Sequence, residues 1–297
     1  MASPQAEQLR EILRAMPKEP AGSLEEQRAG AEAMWPAFTA ELPDASFEPV
    51  HAGGVPAEWI RYPDADTSRV ILYLHGGGYS LGSIATHRKL AGHIARAAGS
   101  TALVIDYRLA PEHPFPAGLD DAVTAYQWLL AEGFRASDVA IAGDSAGGGL
   151  TVATAIRLRD ERVELPDALV TLSPWTDLAH TGESLETNRE KDLLLTSGDN
   201  TGVEWYLGGG HADEKHPLVS PLYADLDGLP RLLVQVGSDE ILLDDSRRLA
   251  ERADAAGVDV TIEIWDEMQH VFQMGVGNMP ESTEAVAKIG AWLLSNR

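Results

Sequence analysis

The sequence contains no cysteine, so it has neither a disulfide framework nor thiolate chemistry, catalytic or metal-binding. Basic residues are scarce: 23 Lys and Arg stand against 46 Asp and Glu, a formal net charge of −23. Nucleic-acid binding needs a basic stripe to face the phosphates, and this composition leaves no surplus to build one. Docking on an anionic membrane is disfavoured for the same reason. The acidic excess reads as a well-hydrated surface, and adaptation to salt is a second reading of it. No apolar stretch approaches the length of about 20 residues that spans a bilayer. Met1 to Met16 lacks the basic start and continuous apolar run of a signal peptide; Leu9, Ile12, Leu13 and Met16 recur at helical spacing instead. A cytoplasmic location is the resulting expectation. Repeats, low-complexity tracts and a Pro/Gly/Ser-rich linker are also missing. The 297 residues are therefore expected to form a single domain, 1–297, around one large core.

What is present is an alternation. To about Leu42 the chain reads as helices, with Ser23 and Glu26 spaced as a capping box ahead of a helix that carries Met34 and Trp35. Strand-like runs follow at Ala57 to Tyr62, Val70 to Leu74, Ala102 to Ile105, Val139 to Ala142, Ala168 to Leu172, Leu232 to Val236 and Val260 to Ile264. Helical patterns separate them, among them Leu119 to Ala131, Ala146 to Arg159 and Asp244 to Ala256. Strand and helix in alternation predict an α/β fold with a mostly parallel sheet and helices on both faces. Ligands on such sheets sit beyond the carboxyl ends of the strands.

Three of those ends carry chemistry. After Val70 to Leu74 comes His75-Gly76-Gly77-Gly78-Tyr79, where three glycines let the backbone approach a ligand and aim N–H groups at it; the plainer reading is a flexible turn. After Val139 to Ala142 comes Gly143-Asp144-Ser145-Ala146-Gly147, the G-x-S-x-G pattern of a nucleophile elbow. The bare pattern is weak, but a strand before it and a helical stretch from Leu150 to Arg159 after it are the context the elbow requires. A serine hydroxyl needs a base, and in this fold the base comes last in the chain, after an acid. Of nine histidines only His270 lies beyond the final strand. His75 reads as structural, orienting the glycine loop, and the other seven carry no special signal. The orienting carboxylate belongs in the loop after Val236, where Asp244 and Asp245 read as the start of a helix. Asp239 and Glu240 remain, and periodicity cannot separate neighbours in a loop.

These residues resemble the bacterial hormone-sensitive-lipase-like esterases of the α/β-hydrolase fold. The glycine loop, the elbow through Gly148 and the segment Asp106-Tyr107-Arg108-Leu109-Ala110-Pro111-Glu112-His113-Pro114-Phe115-Pro116-Ala117 carry the likeness, with Ser173-Pro174-Trp175-Thr176-Asp177 in addition. The resemblance implies an eight-stranded, mostly parallel sheet with a helical cap, built from about 1–42 and about 183–218. Trp205, Tyr206 and Leu207 are the cap's apolar part, and read equally as core or as substrate contacts. It also implies Ser145, Glu240 and His270 as catalytic residues and Gly77, Gly78 and Ala146 as the oxyanion hole. Glu240 is chosen over Asp239 by aligning Leu242 and the acidic pair with the family pattern, which more often has Asp at that place. The implied activity is hydrolysis of small, short-acyl-chain esters, lactones included, without metal or organic cofactor. A non-catalytic ligand-binding protein, an amidase and an acyltransferase are the alternatives on the same fold. The last strand, Val260 to Ile264, read as a bare sheet edge, suggests a homodimer formed through it.

Overall fold

Alternation along single strands determines where the layers go. In the computed structural model, which describes residues 2–16, 22–196 and 201–295, Val70, Leu72 and Leu74 face one core cluster, and Ile71 and Tyr73 face another. A strand presents successive side chains to opposite faces, so an unbroken apolar run is what a sheet covered on both sides requires. The first cluster receives Leu119 and Leu129, Leu150 and Ile156, and Leu249 from the helices of one layer. The second receives Leu90 and Ile94, and Val286, Ile289 and Leu293, from the helices of the other.

In chain order the elements begin with α1 (Pro4–Ala15) and α2 (Leu24–Met34), followed by β1 (Ser46–Ala52), β2 (Val55–Arg61) and β3 (Asp66–Leu74). Next come α3 (Ile84–Ala97), β4 (Ser100–Ile105), α4 (Ala117–Ala131), β5 (Val139–Asp144), α5 (Ala146–Asp160) and β6 (Ala168–Leu172). Two short helices, α6 (Ser184–Thr187) and α7 (Thr201–Tyr206), precede β7 (Arg231–Gly237), α8 (Leu243–Ala255), β8 (Val260–Trp265) and α9 (Pro280–Ser295). The eight strands form one sheet in the order β1-β2-β4-β3-β5-β6-β7-β8. Only the β1–β2 and β2–β4 pairings are antiparallel.

The expected helices and strands recur with ends shifted by a few residues. Ser23 caps α2 as a box: its N–H donates to Glu26 Oε2 at 2.7 Å, and its hydroxyl accepts from the Glu26 N–H at 3.3 Å. β1 is the strand that the pattern did not disclose. It carries Pro49, and most of its side chains are exposed, so no apolar alternation marks it; its hairpin to β2 turns through Gly53 and Gly54, both at positive φ. Of the two segments expected to form a cap, the first holds α1 and α2 and the second holds α6 and α7; residues 1, 17–21 and 197–200 within them lie outside the described residues.

Candidate active site

β5 ends at Asp144 and α5 begins at Ala146, which leaves Ser145 alone to reverse the chain. Its backbone sits at φ 53° and ψ −122°, a region costly for any residue with a Cβ. Neighbours hold it there: its N–H donates to Leu172 O at 2.8 Å, and its carbonyl accepts from Trp175 at 2.9 Å. The turn works only with a glycine two residues on, since a Cβ on Gly147 would lie 2.0 Å from Leu74 O. The β3 backbone therefore lies directly against the elbow.

The loop after β8 returns His270 to this point. Its Nε2 lies 2.9 Å from Ser145 Oγ, and its Nδ1 lies 2.8 Å from Glu240 Oε2. All three side chains are buried, Glu240 completely, and Ser145 is the most accessible of them at 9%. Asp239 takes no part: it is turned outward into an ion pair with Arg10 of α1. The other oxygen of Glu240 accepts from the Gly237 N–H at 2.6 Å and from the Ser173 hydroxyl at 2.8 Å. With its lone pairs so occupied, the carboxylate is held in one orientation. The Ser173 hydroxyl also accepts from the Val271 N–H at 3.1 Å, so one buried serine ties the acid to the chain just after His270. Burial is the largest single influence on His270 and lowers its pKa. The hydrogen bond to Glu240 and the charge of that carboxylate outweigh it and leave the imidazole above its ordinary value.

The glycine loop follows β3 and leans on the same elbow. Gly77 has φ 119°, and a Cβ there would lie 2.3 Å from Leu81 O, so only glycine fits this bend. Behind the loop, buried Asp144 accepts from the Tyr73 hydroxyl at 2.8 Å and the Gly76 N–H at 3.1 Å, and pairs with His87 Nε2 at 3.2 Å. Burial alone would raise its pKa; the charge and hydrogen bond of His87, with the Tyr73 hydroxyl, hold it below the usual carboxylate range. His75 is orienting, as expected. Its Nδ1 lies 2.8 Å from Gly76 O, and its ring stacks on Tyr107 at 4.3 Å. Burial, with the His87 charge beside it, pushes His75 down to about 3, which keeps it neutral. No local pattern pairs His87 with Asp144, because only the fold brings α3 under the elbow.

Tyr206 stacks on Tyr79 at 3.7 Å, and both it and Leu207 are buried in the main core cluster, with Trp205 packed against that cluster. These residues of the insertion therefore serve as core. A cleft of about 420 Å³ opens beneath α2, with Arg28, Glu32, Asp106 and Leu109 in its walls. It touches His75 at the start of the glycine loop and Gly82 just beyond it, but not Ser145. Arg28 is spent on structure there, donating to Ser80 O, Ala110 O and Glu112. No group of His, Asp or Glu among the described residues is arranged to hold a metal ion.

Residues 71–274 match the α/β-hydrolase-fold family. An acetyl-hydrolase of Streptomyces hygroscopicus is 44% identical over 294 residues, 99% of this chain and 97% of that protein. An esterase of Acinetobacter venetianus is 40% identical over 85% of this chain and 83% of its own. Among solved structures, an esterase from the bacterial hormone-sensitive lipase family superposes with a TM-score of 0.94 at 48% identity, covering 99% of this chain and 98% of the other. Identity at this level over nearly the whole length leaves little room for a different lineage, and the chain belongs to the bacterial hormone-sensitive-lipase-like esterases of the α/β-hydrolase fold.

Proposed function

We propose that the protein is a serine carboxylesterase acting on small esters of short acyl chains, lactones among them, through an acyl-enzyme on Ser145. The continuous hydrogen-bonded chain from Glu240 through His270 to Ser145, at 2.8 and 2.9 Å, carries this reading. His270 Nε2 takes the hydroxyl proton as Ser145 Oγ bonds to the ester carbonyl carbon. The carbonyl oxygen becomes an oxyanion in front of the Gly77, Gly78 and Ala146 N–H groups, and one such donor is worth about 10²–10³ in rate. The tetrahedral centre then breaks its bond to the alcohol oxygen, which leaves with the proton from His270. Water, deprotonated by the same nitrogen, repeats the sequence on the acyl-enzyme and releases the acid. Glu240 fixes the tautomer in which Nε2 is the base and stabilises the imidazolium. The raised pKa of His270 makes it a stronger base and sets the activity to fall on the acid side, where the ring is already protonated.

A short acyl chain accords with the name of the Streptomyces hygroscopicus relative, an acetyl-hydrolase. The test is hydrolysis of p-nitrophenyl esters from acetate to palmitate by wild type and Ser145→Ala. Turnover is expected to peak at short chains and to fall about 10⁴-fold or more in the variant. No turnover at any chain length would favour a non-catalytic ligand-binding protein on this fold and sink the reading.

A further inference from the structure

The segment between β6 and β7 reaches back beneath the catalytic loops. Asp192 is 2% exposed, and its Oδ2 accepts from the Ile241 N–H at 2.8 Å, one residue past Glu240. Its Oδ1 accepts from Leu194 N at 2.9 Å and Leu195 N at 2.7 Å, which curls the segment around the carboxylate. Two neighbours complete a clamp. Asn188 Nδ2 donates to Ser238 O and Glu240 O, both at 2.9 Å. Gln269, next to His270, accepts from Leu193 N at 2.7 Å and donates to Lys191 O at 3.1 Å. The insertion thus grips the acid's loop with Asn188 and Asp192, and the base's loop through its own backbone. A buried carboxylate is costly unless it is hydrogen-bonded or paired, and three backbone N–H groups meet this one.

We propose that Asp192 is a positioning residue for the Ser145–His270–Glu240 triad: it fixes the Glu240 loop through the Ile241 N–H and supplies a second buried negative charge to the imidazolium formed at His270. The inference rests on the function proposed above. Besides its hydrogen bond to Glu240, His270 feels the negative charges of Glu240, Asp192 and Asp144, in that order, and each opposes the lowering effect of burial on its pKa. Removing one of three is therefore expected to move the imidazole downward, an effect that loss of packing alone does not produce.

The experiment compares wild type, Asp192→Asn and Asp192→Glu on p-nitrophenyl acetate. Rates are taken per active site, titrated by the p-nitrophenolate burst from diethyl p-nitrophenyl phosphate. Asn cannot accept at both Oδ positions, and it carries no charge. Asp192→Asn is expected to lose about tenfold in kcat with KM within about twofold, and to shift the acid limb of the kcat/KM profile downward by about half a unit. Asp192→Glu keeps the charge and is expected to hold the limb near its wild-type position. If Asp192→Asn retains the wild-type kcat, or loses rate with the limb unmoved, the assignment falls. Should that variant yield no titratable serine, Asn188→Ala takes its place, since it cuts the same clamp and leaves the Asp192 charge. A drop in kcat with an unmoved limb is then expected, and a wild-type kcat overturns the clamp. Absence of turnover in the wild type would instead count against the esterase reading itself.

Discussion

A β-branched side chain at positive φ is a backbone outlier, and Val271 holds φ 49° one residue beyond His270. Ser173, whose hydroxyl accepts the Val271 N–H, has φ 46°, and Ser145 has φ 53°. Such residues cost about 1–3 kcal/mol each and persist where their surroundings over-determine them; these three are linked through hydrogen bonds and His270. Ser173 offers a way to separate strain from contact. In Ser173→Ala, Glu240 loses a donor and the Val271 N–H loses its acceptor, a buried loss of about 1–3 kcal/mol. In Ser173→Gly the same bonds vanish, but glycine is at ease at φ 46°. Both variants are expected to lose about tenfold in kcat on p-nitrophenyl acetate with KM little changed, and the Gly variant is expected to melt higher than the Ala variant. Recovery of wild-type kcat by glycine would show that the hydroxyl does not matter. At this scale the sequence was readable where a residue has a place in the strand–helix order: Ser145 after a strand and before a helix, His270 after the last strand. Strand and helix order is silent between Asp239 and Glu240, and only the likeness to the family pattern at Leu242, Asp244 and Asp245 points to Glu240. Asp239 is engaged by Arg10 from 229 residues earlier in the chain, a contact that no local pattern contains.

The same loop continues into α8, whose first turn carries Asp244 and Asp245. Acids there suit the helix dipole, which is how the pattern reads them, yet the two have different fates. Asp244 pairs with Arg247 and accepts from the Ser184 N–H. Asp245 is buried and turned away from its helix to accept the Thr176 and Asp177 N–H groups at 2.7 and 2.8 Å, so that α8 is pinned to the chain leaving β6. Burial is the main cause that pushes the Asp245 carboxyl up to about 7, with the Asp177 charge adding to it. A carboxyl whose pKa is higher folded than unfolded gives stability that is complete below the unfolded pKa and is lost as pH rises toward the folded one. Asp245→Asn is neutral throughout and can still accept at Oδ1. The melting temperature of the variant relative to wild type is therefore expected to rise between pH 4.5 and pH 8. A constant difference across that range would mean that Asp245 is charged in the fold at both ends of it. Periodicity disclosed most elements because apolar runs and helical spacing are local. It could not disclose β1, whose side chains face water, nor the placing of β4 between β2 and β3, which depends on how helices cover the two faces.

Over the whole molecule the two edges of the sheet differ in kind. β1 closes one side with Pro49, which has no N–H to offer a new strand, and with Glu48 paired to Arg61; both features discourage edge-to-edge pairing. β8 closes the other side and has no such protection. Ile262 and Ile264 project from it 37% and 44% exposed, on the face opposite Thr261, which bonds to Trp292 of α9, and Glu263, which accepts from Gln235 of β7. A net charge of −23 should keep copies of the chain apart, so association needs a contact that satisfies backbone groups as well as apolar ones. Antiparallel addition of β8 to β8 across a twofold axis does both, and makes the two sheets continuous. A homodimer is accordingly expected by sedimentation at micromolar concentration, stabilised by added salt as the repulsion is screened. Ile262→Lys with Ile264→Lys is expected to return the monomer mass while leaving turnover per Ser145 intact, because β8 meets the site only through the loop beyond its end. A monomer in the wild type at that concentration would mean that β8 is protected by charge alone, and that the exposed isoleucines are simply tolerated by a strongly acidic surface.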